Sequence, residues 1–149
     1  MSMMSSVVRW MRALPHRGSG RLCPVCTAEA KIFLPFGSPR RPEALCWRCH
    51  SLERQRFLWH FLETRCKPNY PKEADFLHIA PESCLARGLR RWYPTGYVSA
   101  DLLRDDVDIK LDITNSHLPD ERFDMICCSH VLEHVDVDRA AIRESYGGL

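Results

Sequence analysis

Residues 75–128 read DFLHIAPESCLARGLRRWYPTGYVSADLLRDDVDIKLDITNSHLPDERFDMICC, and this stretch decides the fold. Phe76-Leu-His-Ile-Ala80 is a short apolar run closed by Pro81, the pattern of a buried strand. Residues 83–91 have helical character. Residues 96–100 form a second apolar run that ends at Asp101, residues 107–113 alternate, and residues 123–128 form a fourth run. Helical pieces are expected at 130–135 and 138–146. Strands alternating with helices predict an α/β domain on a parallel sheet. One link is too short for that scheme. Only residues 102–106 join the second and third strands, whereas a parallel crossover ordinarily takes a dozen residues or more. Either the chain makes a tight crossover there or one strand is misplaced.

Upstream the texture differs. Cys23 and Cys26 form one C-x-x-C and Cys46 and Cys49 another, with nineteen residues between the pairs. Each pair bends the chain so that both thiolates face one point, and two pairs at this separation match a tetrahedral zinc site. Two disulfides are the alternative, but they need an oxidising compartment that nothing in the chain indicates. His50 is a substitute ligand by position, but four thiolates already close the site. The segment carries few apolar residues, so metal binding must supply folding energy. Cys66, Cys84, Cys127 and Cys128 lack ligand spacing and are expected to be small buried residues.

The expected organisation is therefore a basic flexible tail over 1–21 with a short helical piece at 7–14, a zinc ribbon over 22–50, a linking helix and linker over 51–74, and the α/β unit over 75–149. Within the ribbon, residues 31–35 suit a strand and Gly37-Ser-Pro39 a turn. Ser51 is a candidate helix N-cap, and Phe57, Leu58, Phe61 and Leu62 share a helical face expected to be core.

Of the 149 residues, 45% are hydrophobic and 27% charged, which excludes a disordered or collagen-like chain. No apolar run reaches the ~18 residues of a membrane span. The basic N-terminus lacks the continuous apolar core of a secretory signal, so a cytoplasmic location is expected. The net charge of +2 hides an asymmetry. Residues 1–72 hold thirteen Lys/Arg against four Asp/Glu, and residues 73–149 hold eight against fifteen. A basic half suits an anionic partner, or else docks on the acidic half.

Open parallel sheets bind ligands beyond the C-terminal ends of their strands. Those ends carry residues 78–82, Asp101, residues 112–115 and residues 129–133. Asp101 lies 22 residues after Ile79, the place of an acid that hydrogen-bonds ribose hydroxyls. Through CPVC, CWRCHSLERQRFLW, LHIAPE, SADL, LDITN and FDMICCSHVLEHV, residues 22–146 resemble the zinc-ribbon-bearing, methyltransferase type 11-like group of class I S-adenosylmethionine-dependent methyltransferases. The resemblance implies a partial Rossmann-like sheet preceded by a zinc ribbon, with S-adenosyl-L-methionine and structural Zn2+ as cofactors. His78, Ala80 and Glu82 would surround the methionine end, and Asp101 would hold the ribose. Asp112 and Ile113 would frame the adenine, with Ser129 and His130 near the sulfonium. His130 and His134 are the candidate bases for a hydroxyl acceptor. The acceptor itself (small molecule, sugar or RNA) is unreadable.

Two departures from the group stand out. Ala80-Pro-Glu82 replaces the usual glycine-rich turn, and proline removes a backbone donor. Four strands are counted where the family has seven, so the chain reads as an incomplete form with little activity of its own. Its last strand is expected to be an exposed edge through which copies self-associate.

Other readings compete for the same residues. His130-Val-Leu-Glu-His134 matches the inverted zinc-protease motif, but it follows directly on a strand and leaves fifteen residues for a further ligand. His130, Glu133 and His134 also occupy the places of a divalent-ion E-x-x-E-H site, where the first histidine departs from an oxygen donor. A non-enzymatic alternative is an RNA-binding ribbon with a vestigial cofactor fold. It would use Arg40, Arg41, Arg48, Arg54 and Arg56 with Trp47, Phe57 and Trp59, although Phe57 is expected in the core.

Overall fold

A computed structural model describes residues 16–135 and 138–147. The helical piece expected at 7–14 lies outside them. The chain divides into two compact units, Met1–Thr64 and Arg65–Leu149.

In the first unit, β1 (Arg17–Leu22) pairs antiparallel with β2 (Glu29–Ala30), and β3 (Leu34–Phe36) pairs antiparallel with β4 (Arg41–Leu45). The expected tail therefore ends earlier than residue 21, because residues 17–21 are a strand. Gly20 explains how so polar a segment pairs. Its φ is +133°, and a Cβ there would stand 3.1 Å from the Lys31 carbonyl oxygen. Only glycine allows that approach without strain. Of the strand expected at 31–35, only residues 34 and 35 are strand, at the start of β3, and residues 31–33 link β2 to it. Cys23, Phe33 and Cys46 form the small buried core, with Val25, Cys26 and Cys49 packed against it.

Helix α1 (Glu53–Phe61) runs into a π turn at Leu62–Cys66. Its cap differs from expectation. Ser51 is not the N-cap residue; the Leu52 N–H donates to Gln55 Oε1 at 2.8 Å, while Ser51 is buried. The expected core face is corrected in part. Leu62 is buried and Leu58 half-buried as expected, but Phe57 is 73% exposed and Phe61 48%, and Leu52 and Trp59 are buried in their place. Arg56 ties the helix to the ribbon. Its guanidinium lies 4.0 Å over the Phe33 ring and donates to the carbonyls of Ala44 and Ser51 at 2.9 and 2.8 Å.

The second unit is built on four parallel strands, β5 (Phe76–Ile79), β6 (Tyr97–Asp101), β7 (Ile109–Lys110) and β8 (Met125–Cys128), in spatial order β7-β6-β5-β8. The central β5 is buried throughout, as its apolar run requires. Helix α2 (Ser83–Trp92) follows it, and α3 (Asp138–Gly147) follows β8. Residues 130–135, expected to be helical, form only a 3-10 turn at Leu132–His134.

Alternation along the strands separates two cores. Leu77, Ile79 and Ala100 pack with Leu111, Ile113, Phe123 and Ala141. On the alternate positions, Phe76 stacks on Tyr93 at 5.1 Å and on Tyr97 at 6.0 Å between ring centroids. Of the four cysteines outside the pairs, Cys127 is buried and Cys66, Cys84 and Cys128 are half-buried.

The short link between β6 and β7 is a tight crossover, and the strand expected at 107–113 shrinks to two residues. Side chains replace the missing ladder. Asp101 Oδ1 accepts the N–H groups of Leu103 and Arg104 at 2.8 and 3.0 Å and turns the chain. Asp108 Oδ2 accepts the Ser99 N–H at 2.8 Å, the Ser99 hydroxyl at 2.6 Å and Arg90 at 2.8 Å. No helix among the described residues is long and apolar enough to cross a membrane.

Candidate functional site

The two C-x-x-C pairs fold as matching knuckles. In the first, Thr27 N–H donates to the Cys23 carbonyl at 2.8 Å and Cys23 N–H to the Ala28 carbonyl at 3.0 Å. In the second, His50 N–H donates to the Cys46 carbonyl at 3.0 Å and Cys46 N–H to the Ser51 carbonyl at 2.9 Å. Thr27 and His50 both take left-handed backbone, at φ 56° and 60°. His50 thus serves as the turn residue that directs Cys49 inward.

The four sulfurs lie within 4.8 Å of one another, with Cys23 to Cys49 and Cys26 to Cys46 both at 3.7 Å. A tetrahedral Zn–S4 site with bonds of about 2.3 Å has sulfur–sulfur edges of about 3.8 Å, so the group fits a metal of that kind. Without a cation the thiols compete for protons. Donation from Cys26, then Cys46 and Cys49, holds Cys23 far below the ordinary thiol range, and Cys26 is driven far above it. A divalent cation removes that competition by ligating all four as thiolates. Ser51 Oγ lies 3.4 Å from Cys23 Sγ and 3.2 Å from Cys49 Sγ. That contact was not foreseen, although Ser51 repeats the place of Ala28, two residues after its knuckle.

In the second unit the chain order reverses at β5, with β6 and β7 on one side and β8 on the other. Ligands of open α/β sheets bind at such a point. Three candidate residues meet there. His78, fully buried on β5, has Nε2 3.2 Å from Glu82 Oε2 and Nδ1 2.9 Å from the Tyr97 hydroxyl. Burial raises the Glu82 pKa, but hydrogen bonds from His78 and Ser129 outweigh it and hold the carboxyl below its ordinary value. Glu82 thereby links the ends of β5 and β8. Burial also pushes Tyr97 well above the ordinary phenol range and the nearby Cys127 thiol up to about 12. The ionised Glu82 carboxylate can only accept, so Nε2–H donates to it, and Nδ1 shares a hydrogen bond with the Tyr97 hydroxyl.

Ala80 occupies the turn at φ 48°, the backbone that the usual glycine would adopt, and its N–H donates to the Ala100 carbonyl at 2.8 Å. Asp101 stands at the end of β6, with one carboxylate oxygen already turning the chain. Arg104, unanticipated and without a sequence signal, donates to the Pro81 carbonyl at 2.6 Å and pairs with Asp106 at 2.7 Å.

Other candidates sit differently. Asp112 is exposed, and its Oδ1 accepts the Thr114 N–H and hydroxyl at 2.9 and 2.7 Å, which lowers its pKa. The side chain of Ile113 belongs to the apolar core, so only its backbone is available to frame a ligand. His130, at φ 57°, pairs through Nδ1 with Glu133 at 2.9 Å. His134 is exposed in the 3-10 turn. Among the described residues only the four cysteines group as metal ligands, so the HVLEH stretch does not assemble a metal site.

Residues 93–149, under half of the chain, match the family model described as a methyltransferase domain. No curated protein and no solved structure matches. Residues 93–149 of the second unit are thus similar to a methyltransferase domain, and its parallel strands in the order β7-β6-β5-β8 fit a partial Rossmann-like sheet. The first unit is a four-cysteine ribbon able to hold a metal.

Proposed function

We propose that the chain serves S-adenosyl-L-methionine-dependent methyl transfer in the cytoplasm, with Zn2+ held by Cys23, Cys26, Cys46 and Cys49 in a structural role. The observation that carries this reading is the pair of carboxylates, Glu82 and Asp101, at the ends of adjacent central strands beside the reversal of strand order. Glu82 would take the ammonium of the amino-acid end beside His78 and Ala80. The second oxygen of Asp101 would accept the ribose hydroxyls. Asp112 and the Ile113 backbone would face the adenine, and Ser129 and His130 the sulfonium.

Bound there, the sulfonium supplies an electrophilic methyl group, so the protein's task is chiefly alignment. Glu133 on the Nδ1 side of His130 fixes the tautomer that leaves Nε2 able to accept a proton from a hydroxyl acceptor. His134 is the second candidate base.

Calorimetry with S-adenosylhomocysteine tests the assignment. Asp101→Asn keeps an amide oxygen for the turn and should weaken binding by about 1–3 kcal/mol, as should Asp101→Ala. Unchanged affinity in both would place the ribose elsewhere.

A second reading, RNA binding by the ribbon unit, is favoured by one observation. Phe57 and Phe61 are exposed along one face of α1 together with Arg54. Bases stack on aromatics of this kind. Arg40 and Arg48 are exposed as well, whereas four of the expected contributors are engaged. Trp59 is buried, Trp47 Nε1 donates to the Glu29 carbonyl at 3.1 Å, Arg41 pairs with Glu53 at 2.9 Å, and Arg56 holds the helix to the ribbon. Affinity for a single-stranded oligonucleotide that falls steeply with salt would support this reading, and no binding at low salt would remove it.

A further inference from the structure

The loop after β5 departs from a glycine turn in two ways that belong together. Ala80 keeps the left-handed backbone but carries a Cβ, and Pro81 has no N–H to offer. Two residues on, Glu82 supplies what the backbone does not. Its carboxylate is anchored by His78 Nε2 at 3.2 Å. A carboxylate has about four acceptor sites, so this donor leaves sites for a further cationic donor.

The anchor is itself anchored. His78 is fully buried, and the partner of its Nδ1 is the Tyr97 hydroxyl at 2.9 Å. The Tyr97 ring is held by stacking on Phe76 and by the Arg90 guanidinium 4.6 Å over it. A phenol and an imidazole in a strand core serve no packing need that Phe and Leu would not meet more cheaply in desolvation. Their atoms line up instead as one hydrogen-bonded chain, from the Tyr97 hydroxyl through both His78 nitrogens to Glu82.

We infer that Tyr97 and His78 are positioning residues that fix the Glu82 carboxylate, so that this side chain in place of a glycine-turn backbone recognises the primary ammonium of the cofactor's amino-acid end. The inference rests on the proposed S-adenosylmethionine site. It adds a specificity determinant for the amino-acid portion and leaves recognition of the nucleoside to other residues.

The test compares two ligands on the full chain by calorimetry: S-adenosylhomocysteine, which carries the ammonium, and 5′-methylthioadenosine, which lacks the amino-acid end. Glu82→Gln should weaken S-adenosylhomocysteine at least tenfold and change methylthioadenosine less than twofold. Tyr97→Phe should weaken S-adenosylhomocysteine three- to tenfold, spare methylthioadenosine, and add nothing in the Glu82→Gln background, because coupled residues are not additive. His78→Gln, which retains a donor, should keep more affinity than His78→Leu. Equal loss of both ligands in Tyr97→Phe, or no loss of either, would overturn the positioning role. S-adenosylhomocysteine binding that ignores Glu82→Gln would overturn the inference and leave the cofactor site standing. A wild-type chain that binds neither ligand would overturn both.

Discussion

Gly96 stands directly before β6, and its carbonyl accepts the Phe76 N–H at 2.9 Å, the first bond between β5 and β6. A Cβ placed on it would lie 2.2 Å from the Ala74 carbonyl oxygen, 2.7 Å from the Ala74 carbonyl carbon and 2.9 Å from the Asp75 Cα. All three are backbone atoms, so no side chain can swing away. Restoring an ordinary carbon–oxygen contact requires about 1 Å of separation between the two strand entries. Overpacking of that kind costs about 1–3 kcal/mol, and each weakened ladder bond adds about 1 kcal/mol. Gly96→Ala should therefore destabilise the second unit by about 3–5 kcal/mol, a large share of the stability of an ordinary domain. Urea unfolding followed by aromatic fluorescence measures it, with the metal content of the ribbon as the control. A midpoint within experimental error of the wild type would refute the claim that β5 and β6 are joined in this register at this glycine.

Further predictions concern metal, pH and surface. Elemental analysis should find one zinc per chain, and Cys23→Ser or a strong chelator should unfold the ribbon unit, since its own core is three buried residues and metal binding is its folding energy. A metal-free, folded ribbon would contradict this. Glu82 has a lowered pKa in the folded chain, so its contribution to stability is complete above the ordinary value of 4.5 and is lost as the pH falls through the lower folded value. Glu82→Gln should flatten that acid limb of the stability profile, and an unchanged limb would count against the His78 and Ser129 contacts. Phe57→Ser should change stability by less than about 0.5 kcal/mol, as expected for an exposed site; a loss of 2 kcal/mol or more in thermal unfolding would mean that the side chain is covered.

The parts legible in the sequence are those whose signal is local. The apolar run at 76–79 and its closing proline mark β5 whatever surrounds them, and the cysteine spacing reports the sulfur cluster because two knuckles leave the thiolates no other common target. Parts decided by distant partners were not legible. Helical spacing identified Phe57, Leu58, Phe61 and Leu62 as one face of α1, but periodicity does not say which side finds a partner, and of these only Leu62 is buried, with Leu52 and Trp59 beside it. The tight crossover needs Asp108 to satisfy Ser99, two residues nine positions apart with no pattern between them. Ser51 has the composition of an N-cap and is turned by the knuckle toward sulfur. At the candidate site, Glu82 and Asp101 were readable as acids at strand ends. Tyr97 was hidden because a tyrosine in a strand looks like core until its hydroxyl is seen against His78.

The central claim is that the strand ends of the second unit hold an S-adenosyl nucleoside. Its most direct test is an amide chemical-shift titration of the isotope-labelled full chain with S-adenosylhomocysteine. Saturable shifts concentrated at residues 78–82, 101–104, 112–114 and 129–130, with the cysteine knuckles unmoved, are predicted. Absence of shifts at millimolar ligand, or shifts confined to the ribbon, would contradict the account.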